Sequence, residues 1–332
     1  NNYDIKTSMS GMNPARFYET VNSGQHYQYM YNTLQLNSGY LQENGVPIFS
    51  DIAQLTGVSN TDWSWAPLFF DMDNDGHKDL FVSNGIKRDF RNNDFVNYVN
   101  KKQDSIRQAK SMDVKDYISD VMLKMPTRKK ENYFFRNSGN LEFTQMNKVW
   151  GDSVETSSNG TIYADLDNDG DLELIVNNTD DPAYILKNNS RELGLAHYLT
   201  IAFNGPDGNR DGIGTRVTVH SSAGKQTQEL YFSKGFMSAK DRELHFGLGI
   251  DETASVEILW PDNTKQIYPK VKIDETLVVD YKNSTAQTGS EEKSANSTLF
   301  TKQNIEGLEY KHVENSFDDF KRESLLPHKM SN

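Results

Sequence analysis

The sequence predicts an all-β protein in which blades of a β-propeller are joined to a small β-sandwich, with one helical insertion. Three observations lead to this prediction. Two acidic loops are each flanked by short apolar runs that are typical of strands. The loops lie in a repeat of about 50 residues, the length of a four-stranded propeller blade. Six short alternating strands with Gly turns follow within about 90 residues, which favours a sandwich or barrel.

The two acidic loops share the pattern D-x-D-N-D-G-x-x-[DE], which is the strongest functional signal in the chain. Side chains at positions 1, 3 and 5 of such a loop converge on one point, and Gly at position 6 allows the sharp turn. The backbone carbonyl of position 7 and the carboxylate of position 9 then complete an oxygen shell that suits Ca²⁺. The loops read Asp71-Met72-Asp73-Asn74-Asp75-Gly76-His77-Lys78-Asp79 and Asp165-Leu166-Asp167-Asn168-Asp169-Gly170-Asp171-Leu172-Glu173.

These loops differ from EF-hand loops, which have helices on both sides and a Glu at position 12. Position 12 is Val82 in the first loop and Val176 in the second, and the flanking runs are strand-like. A solvated acidic hairpin is the alternative for one such loop, but two copies with the same internal order make it the weaker interpretation. The sequence therefore predicts two strand–loop–strand calcium sites with a structural role.

Composition excludes several classes of protein. The 332 residues carry 35 basic and 47 acidic side chains, and the net charge of −12 argues against nucleic acid or anionic lipid as a partner. Two bound Ca²⁺ would bring this charge to −8, so part of the acidity belongs to the metal sites. The absence of Cys excludes disulfides, and no apolar run approaches a membrane span. Calcium loops without a regulatory helix pair suit the extracellular space or the cell surface, where calcium is always high.

The loops belong to a longer internal repeat. Each unit combines a strand, an Asn-Ser-Gly turn, a strand that begins at Phe, and the strand–loop–strand segment. The turns occupy 37–39 and 137–139. We therefore predict propeller blades over residues 1–190, and the start of a further blade in 299–332.

Helices are expected at two places in the blade region. A charged insertion at about 86–131 has apolar residues at helical spacing. A second helix is predicted at 13–21, with Asn13 as its cap and Pro14 at its first position. We interpret these helices either as decoration of one face of the blades or as simple packing elements.

From Ala196 the pattern changes to alternating strands with Gly turns, which predicts a small β-sandwich over 196–281. Residues 282–298 are polar and low in complexity, and we interpret them as a linker. The six predicted strands cover 197–203, 215–220, 228–232, 243–246, 255–260 and 276–280.

Several segments resemble a known protein family. Residues 204–217, 245–249 and 258–262 are similar to landmarks of the ASPIC/UnbV domain, and the two acidic loops are similar to FG-GAP repeats. Residues 59–67 and 317–328 resemble long family members from Bacteroidetes. The chain thus resembles FG-GAP/VCBS-repeat proteins with an ASPIC/UnbV domain, the cartilage-acidic-protein-like family. It departs from them in having two visible blade units where the family builds about seven, and Glu173 at position 9 of the second loop.

The resemblance implies a partial, seven-bladed-type propeller with two Ca²⁺ sites in a secreted protein or an outer-membrane lipoprotein. It also implies a non-enzymatic binding or assembly role, with a protein or glycan ligand and a place beside SusC/SusD-type transporters. We expect the chain to be a processed product or a fragment of a longer polypeptide. By the family pattern, one site comprises Asp71, Asp73, Asp75, His77 (carbonyl) and Asp79, and the other comprises Asp165, Asp167, Asp169, Asp171 (carbonyl) and Glu173.

Two other functions stay open at this point. One is a calcium-dependent polysaccharide lyase or hydrolase, although the sequence has no HExxH pair, no Gly-x-Ser-x-Gly elbow and no Cys nucleophile. The other is integrin-like adhesion to a protein ligand. Trp63 and Trp65 would point to the same side of a strand, where they either fill a core or stack on sugar rings, and burial is the favoured interpretation.

Overall fold

A computed structural model describes residues 31–285, with gaps at 43, 91, 110–112, 152–153, 195 and 223, and also residues 19 and 22–24. The chain divides into two units, Asn1–Gln287 and Thr288–Asn332, and every described residue lies in the first. Apart from residue 19, the helix predicted at 13–21 lies outside the described residues, as does the blade predicted at 299–332.

The regular secondary structure of the described residues is mostly β-strand, arranged in several small sheets, which confirms the all-β class. Two helices, α1 (Asn93–Ala109) and α2 (Val114–Lys124), lie between β4 and β5, and a short 3-10 turn covers Tyr281–Asn283. The strands are β1 (Gln35–Leu41), β2 (Pro47–Asp51), β3 (Ser64–Phe70), β4 (Asp79–Asn84), β5 (Tyr133–Asn137), β6 (Phe143–Gln145), β7 (Ser158–Ala164), β8 (Glu173–Asn178), β9 (Tyr184–Leu186), β10 (His197–Asn204), β11 (Arg216–Ser221), β12 (Gly224–Glu229), β13 (Leu244–Gly249), β14 (Ala254–Leu259), β15 (Lys265–Val271) and β16 (Thr276–Asp280).

Two antiparallel, blade-like sheets carry the acidic loops. The first has the order β3-β4-β5-β6 and the second β7-β8-β9, while β1 and β2 form a separate hairpin. Each loop therefore shares a sheet with the strands that follow it, whereas the predicted unit grouped each loop with the strands before it. A repeat pattern shows its period but not the point at which one sheet ends, because any cut through the period repeats equally well. The described residues form no closed ring of blades.

The two blade-like sheets share one hydrophobic core. The rings of Phe70 and Tyr163, one from each sheet, stack with centroids 4.5 Å apart. Burial of each large apolar side chain contributes about 1.5–3 kcal/mol, so this core holds the two acidic loops in a fixed relation. Its buried members are Leu68, Phe70, Met72, Phe81, Phe134, Tyr163, Leu172, Leu174 and Val176.

The helical insertion predicted at about 86–131 contains α1 and α2. Asn92 Oδ1 accepts hydrogen bonds from the first backbone N–H groups of α1, and Asp113 caps α2 in the same way. Phe95 of α1 is buried, but no side chain of α2 is, so the apolar spacing of α2 does not mark a buried face. Among the described residues, no helix has the length and apolar character needed to cross a bilayer.

The C-terminal strands form a β-sandwich. One sheet has the order β13-β10-β16, with β10 and β16 parallel, and the other has the order β12-β11-β14-β15. Trp260 is fully buried between them, and its Nε1 donates to Gln266 Oε1 at 3.0 Å. Thr285 still exchanges backbone hydrogen bonds with Lys265, so the sandwich includes the first residues of the predicted linker.

The sandwich has seven strands where the sequence predicts six. The additional strand is β15, which contains Pro269 and buries only Gln266 and Val271, so its sequence lacks strand alternation. The third predicted strand, at 228–232, is found at Gly224–Glu229 instead. This strand buries no side chain, so apolar periodicity could not locate it.

Candidate metal centres

The two acidic loops have the same backbone conformation. Each joins two antiparallel strands of its sheet, β3 to β4 in the first and β7 to β8 in the second. Position 4 is left-handed in both, with φ of 56° at Asn74 and 60° at Asn168. Position 6 is also left-handed, with φ of 93° at Gly76 and 92° at Gly170. Asn and Gly are the residues that adopt this region at least cost, so the D-N-D-G sequence dictates the loop geometry.

Backbone N–H groups hold the carboxylates of positions 1 and 9 in the same way in both loops. At position 1, Asp71 Oδ2 accepts from Gly76 N at 2.8 Å, and Asp165 Oδ2 accepts from Gly170 N at 3.1 Å. At position 9, Asp79 accepts from Met72 N and Asn137 N, and Glu173 accepts from Leu166 N and Asn188 N. The longer Glu173 therefore reproduces the hydrogen bonding of Asp79.

Of the four carboxylates predicted as ligands in each loop, three converge and one does not. Carboxylate oxygens of positions 1, 3 and 9 lie within 4.8 Å of one another in each loop. Position 5 belongs to neither set: Asp75 pairs with Arg136, as Asp73 also does, and Asp169 groups with two acidic residues outside this set. The two converging sets are Asp71, Asp73, Asp79 and Asp165, Asp167, Glu173.

Burial and mutual repulsion make the first set costly to ionise. Burial, together with the neighbouring carboxylates of Asp79 and Asp75, raises the pKa of Asp71 well above its usual value. Burial raises the pKa of Asp79 to about 7, and burial together with Asp75 raises the pKa of Asp73. A divalent cation among these groups would remove this penalty.

The second set has the same character but is more exposed. Burial raises the pKa of Glu173 to about 7 and also raises the pKa of Asp165. Asp167 differs, because its hydrogen bond from Lys187 lowers its pKa. The second loop thus combines two carboxyls that resist ionisation with one that a lysine stabilises as the anion.

The donor set of both loops fits a hard cation. Within the part of the chain that the structure describes, Asp73 Oδ1 and Asp165 Oδ1 are buried without a hydrogen-bond partner, although both belong to predicted ligands. A buried carboxylate oxygen without a partner is costly unless it is protonated or coordinates a metal. Clustered carboxylate oxygens are the ligands that Ca²⁺ and Mg²⁺ take, and a thiol or imidazole ligand is absent from both sets.

Sequence reasoning missed a basic residue beside each loop. Arg136 at the end of β5 donates to Asp73 at 2.7 Å and to Asp75 at 3.0 Å. Lys187, just after β9, bonds Asp167 at 2.7 Å. Each basic residue directly precedes the Asn that bonds the position-9 carboxylate, and this Arg-Asn and Lys-Asn pairing was the signal available in the sequence.

The first loop is buried against the sandwich. Asn74 Oδ1 accepts from His245 Nε2 at 2.7 Å, and Asn74 O accepts from Gly249 N at 2.8 Å. Asn74 Nδ2 donates to Gly170 O of the second loop at 3.0 Å. Burial lowers the pKa of His245 to about 3, so the ring is neutral and donates this proton as a fixed hydrogen bond. Position 4 of the first loop therefore joins both loops to β13.

Two glycines permit the close approach between the loops and the sandwich. A Cβ at Gly170 would lie 1.9 Å from the Tyr198 ring of β10, and a Cβ at Gly247 of β13 would lie 2.1 Å from Asp71 Oδ2. Neither position has room for a side chain. The sandwich consequently rests directly on both candidate metal loops.

Trp63 and Trp65 are neither buried nor fully exposed. Trp65 Nε1 donates to Gly85 O at 2.7 Å, and its ring lies 4.9 Å from that of Phe236 in the sandwich. Trp63 is 6.3 Å from Trp65, measured between ring centroids. The predicted burial is therefore partial, and Trp65 takes part in the contact between blade and sandwich.

Comparison with known proteins identifies the sandwich. A family model described as ASPIC and UnbV matches residues 205–286, which include β11 to β16. Over 115 residues the chain is 28% identical to Cartilage acidic protein 1 of Mus musculus, covering 34% of this chain and 18% of that relative. The chain thus spans less than a fifth of the length of this curated relative. The predicted ASPIC/UnbV resemblance is confirmed for this stretch, while the FG-GAP assignment and a Bacteroidetes origin stay predictions.

Proposed function

We propose that this chain is a calcium-binding, non-enzymatic module of an extracellular protein. The observation that carries the proposal is the duplicated loop: two loops direct three carboxylates each at one point, with the same backbone hydrogen bonds. Bound Ca²⁺ supplies the positive charge that these buried carboxylates lack. It has a structural role, because the loops sit where two blade-like sheets meet the sandwich.

The module serves as a binding or assembly subunit with a protein or glycan ligand. The ASPIC and UnbV match and the similarity to Cartilage acidic protein 1 support a non-catalytic domain of the extracellular type. The finer proposal, drawn from the bacterial resemblance, is a lipoprotein of the outer-membrane surface that works beside a SusC/SusD-type transporter. The calcium requirement agrees with a compartment in which calcium stays high.

Calcium affinity should fall as the pH falls through about 7. Asp79 and Glu173, whose pKa values are raised to about 7, are largely protonated below that pH in the metal-free fold, and Ca²⁺ must displace these protons. Because their folded pKa values exceed the unfolded ones, the metal-free fold also loses stability as the pH rises from about 4 to about 7. Calorimetric titration with Ca²⁺ at about pH 8 and pH 5.5 measures the affinity and the released protons.

The variant Asp79→Asn should bind one loop ion fewer at pH 8, whereas Asp211→Asn, in a sandwich turn, should bind as the parent does. Asp211 pairs with Arg242 far from either loop in sequence and serves as the matched control. Equal calcium uptake by all three proteins would refute the metal assignment.

The binding role predicts retention of a ligand without turnover. Surface polysaccharides and extracellular proteins are immobilised and tested with the full chain in calcium and in excess EDTA. We expect calcium-dependent retention of one class and no change in the size of any glycan after prolonged incubation. Release of shortened or unsaturated products would contradict this proposal and support the lyase or hydrolase alternative.

A further inference from the structure

The second loop carries a third acidic cluster that the predicted calcium sites do not use. Carboxylate oxygens of Asp169, Asp171 and Glu192 lie within 4.8 Å of one another. Asp169 is position 5 of the loop, Asp171 is position 7, and Glu192 follows β9. In the predicted site, Asp171 contributes only its backbone carbonyl, so its side chain is free for a different role.

The side chain of Asp171 is the best evidence that this cluster holds a ligand. The residue is 1% exposed, and its Oδ1 is buried with no hydrogen-bond partner among the described residues. The other oxygen accepts from Ser190 Oγ at 3.3 Å and from Arg191 N at 3.0 Å. A buried carboxylate that is only half satisfied is costly to keep, and a cation at the open oxygen removes that cost.

No described basic side chain forms an ion pair with Asp171. Lys187 pairs with Asp167, with Glu192 and, at 3.8 Å, with Asp169, but it forms no ion pair with Asp171. The guanidinium of Arg191 donates to the backbone oxygens of Asp169 and Ala196 and pairs with Asp274. Lys187 therefore neutralises part of the charge of Asp169 and Glu192, but neither neighbouring basic group pairs with Asp171.

The first loop forms no corresponding cluster with any residue that the structure describes. Its position 7 is His77, which is exposed, and the residue five places after Arg136 is Leu141, whereas the residue five places after Lys187 is Glu192. The first loop thus gathers four carboxylates around Arg136, and the second gathers six around Lys187. With all carboxylates ionised, one Ca²⁺ brings the four carboxylates and Arg136 to a net charge of −1. The six carboxylates and Lys187 reach the same net charge only with two Ca²⁺.

We propose that the second loop binds two divalent cations: one between Asp165, Asp167 and Glu173, and a second between Asp169, Asp171 and Glu192. This inference rests on the proposed calcium function and extends it, because the second cation uses the side chain of position 7 and an acidic residue beyond the loop. The ligand class is a hard cation held by carboxylate oxygens, and Ca²⁺ is the probe.

Native mass spectrometry of the full chain, freed of metal and then equilibrated with Ca²⁺, counts the bound ions. The unmodified chain should hold three Ca²⁺, and Asp171→Asn and Glu192→Gln should each hold two, with affinity for the third ion lowered about tenfold or more. Glu229→Gln is the matched control, since Glu229 also pairs with one basic side chain and is exposed to a similar degree, 47% against 50%. The Glu229→Gln variant should hold three Ca²⁺, as the unmodified chain does.

The outcomes separate this inference from the proposed function. Two ions in the unmodified chain, unchanged in Glu192→Gln, would overturn the additional site and leave the two loop sites standing. Uptake of no ion would overturn both. Circular dichroism of each variant checks that it is folded, so that the loss of an ion is not mistaken for unfolding. Glu192→Gln is the variant least expected to disturb the fold, because Glu192 is exposed.

Discussion

Removal of calcium should lower the melting temperature by about 10–20 °C. A site that is saturated at about 100 times its dissociation constant stabilises the fold by about 2.7 kcal/mol, and the two loops together by about 5 kcal/mol. For a domain of this size, each kcal/mol shifts the melting temperature by about 2–4 °C. The metal-free loops also leave Asp71 and Asp79 buried beside each other, which adds repulsion at neutral pH. Thermal unfolding followed by circular dichroism, with and without EDTA, measures the shift.

Two controls separate calcium from other effects of the chelator. EDTA saturated with Ca²⁺ beforehand should leave the melting temperature unchanged. A double variant, Asp71→Asn with Asp165→Asn, lacks the position-1 ligand of both loops and should respond little to either reagent. A melting temperature of the unmodified chain that is the same in calcium and in EDTA would rule out a structural role for the metal.

Asn74→Ala should destabilise the chain by about 2–4 kcal/mol, whereas Asn168→Ala should cost less than about 1 kcal/mol. Both residues occupy position 4 with nearly the same left-handed φ, so the strain introduced by Ala is the same. Only Asn74 is buried, and its loss leaves the Gly170 carbonyl and His245 Nε2 without partners. Urea unfolding of the two variants in saturating calcium gives the difference in free energy of unfolding.

Equal destabilisation by the two substitutions would show that the contact between the first loop and the sandwich contributes nothing beyond the loop's own conformation. A larger effect of Asn74→Ala, accompanied by faster proteolysis within the sandwich, would show that this loop holds the sandwich in place. Because both variants keep all the predicted ligands, their calcium stoichiometry should match that of the parent chain.

The acidic loops could be predicted because each is encoded within nine consecutive residues. Position 6 must be left-handed and is Gly, and position 4 is Asn with the same handedness. Carboxylates occupy the alternate positions 1, 3 and 5. These are local requirements, and the structure shows the same conformation in both copies. The ASPIC/UnbV domain was recognisable for a similar reason, since its landmarks lie in short contiguous segments.

The partners of the loops could not be predicted, because they come from distant parts of the chain. Asn137 bonds Asp79 across 58 residues, since the helical insertion separates β4 from β5, whereas Asn188 bonds Glu173 across 15. The bond between His245 and Asn74 spans 171 residues. No periodicity encodes such contacts, so the position of the sandwich on the loops is information that only the fold supplies.

Crystals grown in calcium and measured at long wavelength locate the metal itself, because bound Ca²⁺ gives anomalous density. We expect one peak at each converging carboxylate set, within about 2.3–2.6 Å of the oxygens. Those sets are Asp71, Asp73, Asp79 and Asp165, Asp167, Glu173. Absence of density at both loops, with Arg136 and Lys187 still bonded to the carboxylates, would contradict this expectation.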